Sequence, residues 1–300
     1  MSFRRKGTVL LAAIAAASLF ACSGKNEAAP AEEESSSLVR TLKTSQGDMR
    51  YIRFGNPEGD PFVILPGVSL RSVMNSAEAI KDAYDLFAED YDVYVFDRLS
   101  VFPEGYDVNA MAASALEAID QLSLSDVTLM GVSQGGMMAM IMASSAPEKI
   151  EALVLCSTAA SLKYADPAVF EEWTRLAEEK DGPGLMESFG RYVYTPDFFN
   201  TYKDVIIAQG NDVSDLEFKN FLISMKGMEG FDITDRLSRI SCPVFVLGAG
   251  EDKVLGVQAS VDLMNTLGCE GYIYEGKGHG VFDEAPDYRP RIKEFLDRIQ

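Results

Sequence analysis

The chain has 300 residues and a formal net charge of −19, with 46 acidic residues against 27 lysines and arginines. Its length is enough for a large hydrophobic core. Nucleic-acid binding is disfavoured, because binding phosphates requires clustered basic residues and none follows residue 6. One histidine is too few for a typical histidine-rich zinc site, and no phosphate-binding loop is present. The sequence therefore predicts neither a metal nor another cofactor.

The first residues predict an export signal. Three basic residues at 4–6 precede an apolar run at 9–17, which is too short to span a membrane comfortably. The sequence Leu-Phe-Ala-Cys at 19–22 resembles the bacterial lipobox, so we expect residues 1–21 to be a lipoprotein signal peptide and Cys22 to be lipidated. An ordinary secretory signal, cleaved just before this cysteine, is the alternative. Either signal predicts export, and the lipobox predicts a bacterial cell-envelope lipoprotein.

A polar segment separates the signal from the rest of the chain. Residues 22–37 contain no large apolar side chain, so they cannot contribute to a core and are predicted to form a flexible tether. The folded domain is expected over 38–300. Removal of residues 1–21 takes away three basic residues and no acidic ones. The lipid on Cys22 is therefore the expected attachment to the membrane.

From residue 38 onward, short apolar runs alternate with longer stretches of helical periodicity. Two runs of alternating apolar and polar residues, on either side of residues 45–48, predict a β-hairpin. A continuous apolar run at 61–67 predicts a buried strand. Regular alternation of this kind predicts parallel strands joined by crossovers, with helices on both faces of the sheet. The next predicted elements are a helix within 72–90, a strand at 91–96, a helix at 109–122, a strand at 126–130, a helix at 134–145 and a strand at 151–156.

The junction after the predicted strand 126–130 carries the pattern G-x-S-x-G. Gly131 and Gly135 flank Ser133 at the spacing that a tight strand-to-helix turn requires. At the start of the following helix, the Ser133 hydroxyl would lie near unpaired backbone N–H groups that favour negative charge. Ser133 is therefore the candidate nucleophile. A helix-capping serine in a glycine-rich turn is the alternative.

Between about residues 158 and 240 the alternation stops, and helical patterns rich in phenylalanine and methionine dominate. This segment is a candidate lid. An internal helical core is the alternative, since such stripes commonly serve packing, and both interpretations can hold for different faces. The later predicted elements are a strand at 243–248, a helix at 257–267, a strand at 271–275 and a helix at 290–299.

A serine nucleophile needs a base, and the chain contains one histidine. His279 lies in a glycine-flanked loop after the last predicted strand. The base in turn needs an acid that orients its ring, and Asp252 follows the strand 243–248 through a glycine turn. The order Ser133, Asp252, His279 is the one expected for a nucleophile elbow of this kind. Glu251 is the rival for the acidic position.

These motifs together resemble the α/β-hydrolase superfamily, in its lid-bearing branch. The resemblance covers roughly residues 49–300, including the elbow and the G-x-G-H sequence that ends at His279. It implies an eight-stranded, mostly parallel sheet with helices on both faces and a helical lid between the sixth and seventh strands. The sequence Phe-Asp-Arg at 96–98 looks like the family's fourth-strand ending, and Asp97 and Arg98 are expected to brace loops.

The resemblance also implies the remaining parts of the site. The oxyanion donors would be the backbone N–H groups of Gln134 and Val68, although Pro66 stands where relatives usually have a histidine. A serine at the elbow implies hydrolysis through an acyl-enzyme, and we expect a small or medium apolar substrate with a carboxylester or thioester bond. A noncatalytic binding protein, and a peptidase or acyltransferase using the same three residues, are the alternatives.

Overall fold

The computed structural model describes residues 38–300. The predicted signal peptide and the whole predicted tether, including the lipidation site Cys22, lie outside these residues. The described part contains eight strands: β1 (Val39–Thr44), β2 (Gly47–Gly55), β3 (Asp60–Leu65), β4 (Tyr91–Leu99), β5 (Val127–Val132), β6 (Ile150–Cys156), β7 (Val244–Ala249) and β8 (Glu270–Tyr274).

All eight strands form one sheet in the order β1-β2-β4-β3-β5-β6-β7-β8. Strand β2 runs antiparallel to both of its neighbours, and the other pairs are parallel. The predicted hairpin and the predicted mostly parallel sheet are thus confirmed. Parallel neighbours align their carboxyl ends along one edge, where the loops that carry candidate site residues begin.

Ten helices accompany the strands in the described part of the chain. They are α1 (Ala77–Tyr84), α2 (Val108–Gln121), α3 (Gln134–Ser145), α4 (Pro167–Glu178), α5 (Gly182–Val193), α6 (Pro196–Ala208), α7 (Asp215–Lys226), α8 (Val257–Leu267), α9 (Val281–Glu284) and α10 (Tyr288–Ile299). Helices α4 to α7 lie between β6 and β7, where the sequence predicted helical structure. None of the helices within 38–300 is long and apolar enough to span a membrane.

The core occupies both faces of the sheet. Alternate residues of β3 show the division, because Val63 and Leu65 join one buried cluster while Phe62 and Ile64 join the other. Helices α2, α3 and α8 and the α4–α7 segment cover the first cluster, and α1 and α10 cover the second. Burial of each such side chain contributes about 1.5–3 kcal/mol.

Two predicted elements differ from the structure. The helical pattern within 72–90 forms only the eight-residue α1, flanked by short 3-10 turns. Strand β4 continues past the predicted end at Phe96 to Leu99, which pairs with Met49 across a register shift in β2. Asp97 and Arg98 therefore lie within a strand, because the long first hairpin gives β4 a partner beyond the expected end.

Candidate active site

Ser133 lies at the sharp turn between β5 and α3, with φ 52° and ψ −120°. A non-glycine residue rarely adopts this conformation, so surrounding contacts must hold it. The Ser133 N–H donates to the Cys156 carbonyl at 2.9 Å, and its carbonyl accepts the Thr158 hydroxyl at 2.7 Å. The Ser133 side chain makes no capping hydrogen bond to its helix. The backbone of Ser133 is therefore fixed, while its hydroxyl is not used to cap the helix.

The two glycines of the elbow are required by space. A Cβ atom on Gly131 would lie 2.4 Å from the Gly135 carbonyl oxygen, and one on Gly135 would lie 2.1 Å from the Leu65 carbonyl oxygen. Real Cβ atoms do not approach backbone so closely. The start of α3 thus packs directly against the ends of β5 and β3, as the G-x-S-x-G spacing predicted.

Asp252 and His279 meet at the carboxyl edge of the sheet. The Asp252 Oδ2 atom lies 2.9 Å from His279 Nδ1, and both side chains are buried. The other carboxylate oxygen, Oδ1, accepts the N–H groups of Val254 and Leu255 at 2.8 and 2.9 Å. The rival acid, Glu251, is exposed. The structure therefore brings Asp252, rather than Glu251, to the histidine.

The charge of Asp252 decides the tautomer of the histidine ring. Burial alone would raise the pKa of this carboxyl, but the facing imidazole and the two loop N–H groups together hold it below its usual value. An ionised carboxylate can only accept hydrogen bonds, so His279 Nδ1 carries the proton. In the neutral ring, Nε2 is then left with its lone pair free to accept a proton.

Ser133 and His279 line one narrow pocket, of about 30 Å³. No hydrogen bond joins these two side chains among those formed within residues 38–300. The rest of the lining is apolar and comes largely from the segment between β6 and β7 and from the loop after β3. It consists of Gly67, Val68, Val132, Met137, Phe170, Trp173, Phe189, Val193, Met228, Val254, Leu255 and Phe282.

The two predicted oxyanion donors lie beside the serine. Gln134 is the first residue of α3, and Val68 lines the pocket with Ser133. The preceding Gly67 approaches closely enough that a Cβ atom there would lie 3.2 Å from the Ser133 Cβ. The loop after β3 therefore passes directly over the serine despite having Pro66 in place of a histidine.

A buried polar network around Gln134 was not predicted. The Arg98 Nη2 atom donates to Gln134 Oε1 at 2.7 Å, and Gln134 Nε2 donates to the Ser224 hydroxyl at 2.9 Å. All three residues are buried. The network ties the end of β4 and helix α7 to the residue after Ser133. The sequence placed Arg98 near the site, but only folding brings α7 to it.

A second contact missed by sequence reasoning holds the histidine loop. The Glu284 carboxylate in α9 accepts the Thr195 N–H at 2.7 Å and the Thr195 hydroxyl at 3.0 Å. The Gly280 N–H, next to His279, donates to the Val193 carbonyl at 2.7 Å. The junction between α5 and α6 is therefore clamped against the loop that carries the histidine.

Asp283 lies in the same clamp and has an unusual environment. Its Oδ2 atom accepts the Tyr194 hydroxyl at 2.8 Å, whereas Oδ1 is buried without a hydrogen-bond partner. Burial raises the pKa of this carboxyl to about 7, and the neighbouring Glu284 carboxylate adds to the rise, against the opposing effects of Tyr194 and Arg289. This carboxyl therefore titrates near neutral pH.

The comparisons with known proteins agree with this architecture. The family model described as alpha/beta hydrolase fold matches residues 60–286, more than half of the chain. The chain belongs to the α/β-hydrolase fold family. Residues 38–59, which include the first hairpin, precede the matched region.

Similar proteins within this family include several named hydrolases. The chain is 20% identical to 3-oxoadipate enol-lactonase 2 of Acinetobacter baylyi, over 72% of this chain and 80% of the relative. It is 24% identical to the putative carbamate hydrolase RutD of Pseudomonas syringae, over 72% and 87%. The crystal structure of MGS-M2, an α/β-hydrolase enzyme from a deep-sea metagenome, superposes with a TM-score of 0.76 at 18% identity, over 86% of this chain and 97% of that one.

The raised pKa of Asp283 predicts a pH-dependent contribution to stability. Its usual value is 3.8 and its folded value is about 7, so the folded state retains a proton that the unfolded state loses. The stabilisation is complete below about pH 4, decreases as the pH rises and is absent above about pH 7. The side chain of the Asp283→Asn variant is neutral at every pH. The melting temperature of the variant minus that of the wild type should therefore increase from pH 5 to pH 8.

Thermal unfolding followed by circular dichroism at pH 5, 6, 7 and 8 measures this difference. The exposed Asp287→Asn variant is the control for loss of one negative charge. If the melting temperatures of Asp283→Asn and wild type differed by the same amount at all four pH values, the raised pKa of Asp283 would be contradicted.

Proposed function

We propose that this protein is a serine hydrolase that cleaves a carboxylester or thioester bond of a small or medium apolar substrate through an acyl-enzyme. The observation that carries the proposal is the joint placement of a strained, uncapped Ser133 and His279 in one pocket, with the histidine Nδ1 bonded to the buried Asp252. Retention of these three groups favours catalysis over a purely binding role.

In the proposed acylation, the Ser133 Oγ attacks the substrate carbonyl carbon while His279 Nε2 takes the hydroxyl proton. The resulting oxyanion accepts the N–H groups of Gln134 and Val68. When the tetrahedral intermediate collapses, the bond to the leaving alcohol or thiol breaks and the imidazolium returns its proton to that group. Asp252 remains ionised and stabilises the imidazolium during this step.

Deacylation repeats the same proton path with water. His279 Nε2 removes a proton from water as the oxygen attacks the acyl carbon, and the second tetrahedral intermediate releases the carboxylic acid and restores the Ser133 hydroxyl. No group outside the pocket is required for the balance of protons. The network of Arg98 and Gln134 would keep one oxyanion donor in position through both steps.

The apolar pocket supports the proposed substrate class. Its walls include Phe170, Trp173, Phe189 and Met228 from the segment between β6 and β7. A space of about 30 Å³ holds little more than one or two water molecules, so an ester must displace some of these side chains. We therefore propose that this segment acts as the lid. The relatives named enol-lactonase and carbamate hydrolase act, by their names, on bonds of related chemistry.

We also propose that this hydrolase is attached to a membrane through Cys22. The lipobox-like sequence before Cys22 supports a bacterial cell-envelope lipoprotein whose lipidated cysteine holds the hydrolase to a membrane outside the cytoplasm. An anchored enzyme with an apolar pocket would meet substrates at or near the membrane surface.

Labelling with a fluorophosphonate probe tests the nucleophile. An activated Ser133 would displace fluoride and form a stable phosphonyl ester, so wild type should label and Ser133→Ala should not. The variant should also lose hydrolysis of p-nitrophenyl butyrate by about 10⁶-fold. Ser157→Ala is a matched control, because Ser157 is buried, also has a positive φ, of 42°, and lies outside the pocket lining. Labelling retained by a folded Ser133→Ala protein would remove this residue from the mechanism.

Replacement of the acid tests the proposed tautomer. In Asp252→Asn the side-chain amide would donate to His279 Nδ1 and move the ring proton to Nε2, which could then no longer accept from serine. We expect kcat to fall by about 10⁴-fold with little change in KM. The exposed Glu251→Gln variant should retain wild-type kcat. Equal kcat losses in both variants would contradict the assignment of Asp252.

Metabolic labelling with a clickable fatty acid tests the anchor. In bacterial cells, the wild-type chain should incorporate the label and Cys22→Ser should not, because the acyl groups are attached through this cysteine. Cys269→Ser, a change far along the sequence, controls for general effects of removing a thiol. Undiminished labelling of Cys22→Ser would show that the lipobox interpretation is wrong.

A further inference from the structure

A second and larger cavity lies next to the candidate active site. Its volume is about 460 Å³, and two of its lining residues, Arg98 and Ser224, are the hydrogen-bond partners of the Gln134 side chain. The other walls come from β2, β4, the loop after β3 and helix α7. Serine and asparagine side chains contribute much of the lining, in contrast to the apolar pocket at Ser133.

Three arginines line this cavity: Arg50 from β2, Arg71 from the loop after β3 and Arg98 from β4. The Nε atoms of Arg71 and Arg98 are both buried without a hydrogen-bond partner. Among residues 38–300, the Arg50 side chain forms no ion pair or hydrogen bond. A buried donor on a charged group is costly when it is unpaired, and the fold supplies no hydrogen-bond acceptor for these two Nε–H groups.

The acidic residues of the cavity do not supply that acceptor. Both Asp97 oxygens are engaged, Oδ1 by the Arg98 backbone N–H at 2.8 Å and Oδ2 by the Ser72 hydroxyl. The Glu217 Oε2 atom accepts the N–H and hydroxyl of Ser214 at the start of α7, at 2.8 Å each. The remaining Glu217 oxygen forms an ion pair with Arg71 at 3.8 Å from its Nε atom, which is beyond hydrogen-bond distance, and Arg71 Nη2 donates to the Asn211 carbonyl at 2.5 Å.

Arg98 is the most deeply buried of the three arginines of this cavity. Burial lowers the pKa of Arg98 even though Asp97 opposes the change. The lining of this cavity carries three arginines against the two carboxylates of Asp97 and Glu217, a formal charge of +1 in a chain whose overall formal charge is −19. Guanidinium groups match the planar, paired acceptors of a carboxylate or the oxygens of a phosphate, and such charge-assisted hydrogen bonds are strong.

We propose that this cavity, defined here as the arginine cavity, binds a small molecule through a carboxylate or phosphate group held by Arg50, Arg71 and Arg98. The volume exceeds that of the anionic group itself, so the cavity also accommodates a small polar remainder of the ligand. Arg98 lines this cavity and also donates to Gln134, so a ligand held by Arg98 would contact a direct hydrogen-bond partner of the residue that follows the proposed nucleophile. The binding site does not depend on the proposed hydrolase activity.

Isothermal titration calorimetry of the purified full-length protein tests the site, with sodium succinate and inorganic phosphate as separate probes at constant ionic strength. We expect saturable binding of at least one of these anions. Arg50→Gln should weaken it about tenfold, and the double variant with Arg71→Gln should abolish it. The two probes distinguish a carboxylate ligand from a phosphate ligand.

Arg40→Gln is the matched control. Arg40 lies on β1, beside β2, is exposed and does not line the cavity, so its loss changes the net charge equally but should leave binding unchanged. Ser133→Ala should also bind normally, which separates the site from the proposed catalysis. Circular dichroism establishes that each variant is folded. If Arg50→Gln does not fold, Arg71→Gln alone is the test variant.

Three results would overturn the proposal. One is the absence of saturable binding for both anions. Another is equal weakening in Arg40→Gln and Arg50→Gln, which would show a general effect of net charge. The third is binding that survives the Arg50→Gln and Arg71→Gln double variant, which would place the anion elsewhere.

Discussion

Between β5 and α3 the backbone turns so tightly that Gly131 and Gly135 leave no space for a side chain. This turn holds Ser133 at a positive φ, and hydrogen bonds to Cys156 and Thr158 offset part of the strain. Every other element of the candidate site is arranged around this fixed point. The loop after β3 passes over the serine, the loop after β8 brings His279 to its pocket, and the loop after β7 brings Asp252 to the histidine.

The side chain of Gln134 joins two different environments. The pocket at Ser133 is small and apolar, whereas the arginine cavity, lined by two partners of Gln134, is larger and rich in polar groups. Helix α7 contributes Ser224 to the network, so the segment between β6 and β7 is coupled to the residue that follows the proposed nucleophile.

The sequence by itself determined the fold class and the positions of the three central residues. Regular alternation of short apolar runs and helical patterns allows few arrangements other than a parallel sheet covered on both faces. The G-x-S-x-G spacing predicted the elbow, because glycine alone tolerates such close backbone contacts. A single histidine left one candidate base, and its position after the last strand predicted its place at the sheet edge.

Tertiary structure decided what depends on contacts between distant segments. The choice of Asp252 over Glu251 follows from which adjacent carboxylate the β7 loop turns inward. The clamp joins Glu284 and Thr195, which are 89 positions apart. The buried network joins Gln134 to Ser224, 90 positions away, and to Arg98, 36 positions away. No local periodicity encodes such pairs, because burial and desolvation arise only when the chain packs. The arginine cavity also depends on tertiary structure, because only folding brings Arg50, Arg71 and Arg98 to the same cavity.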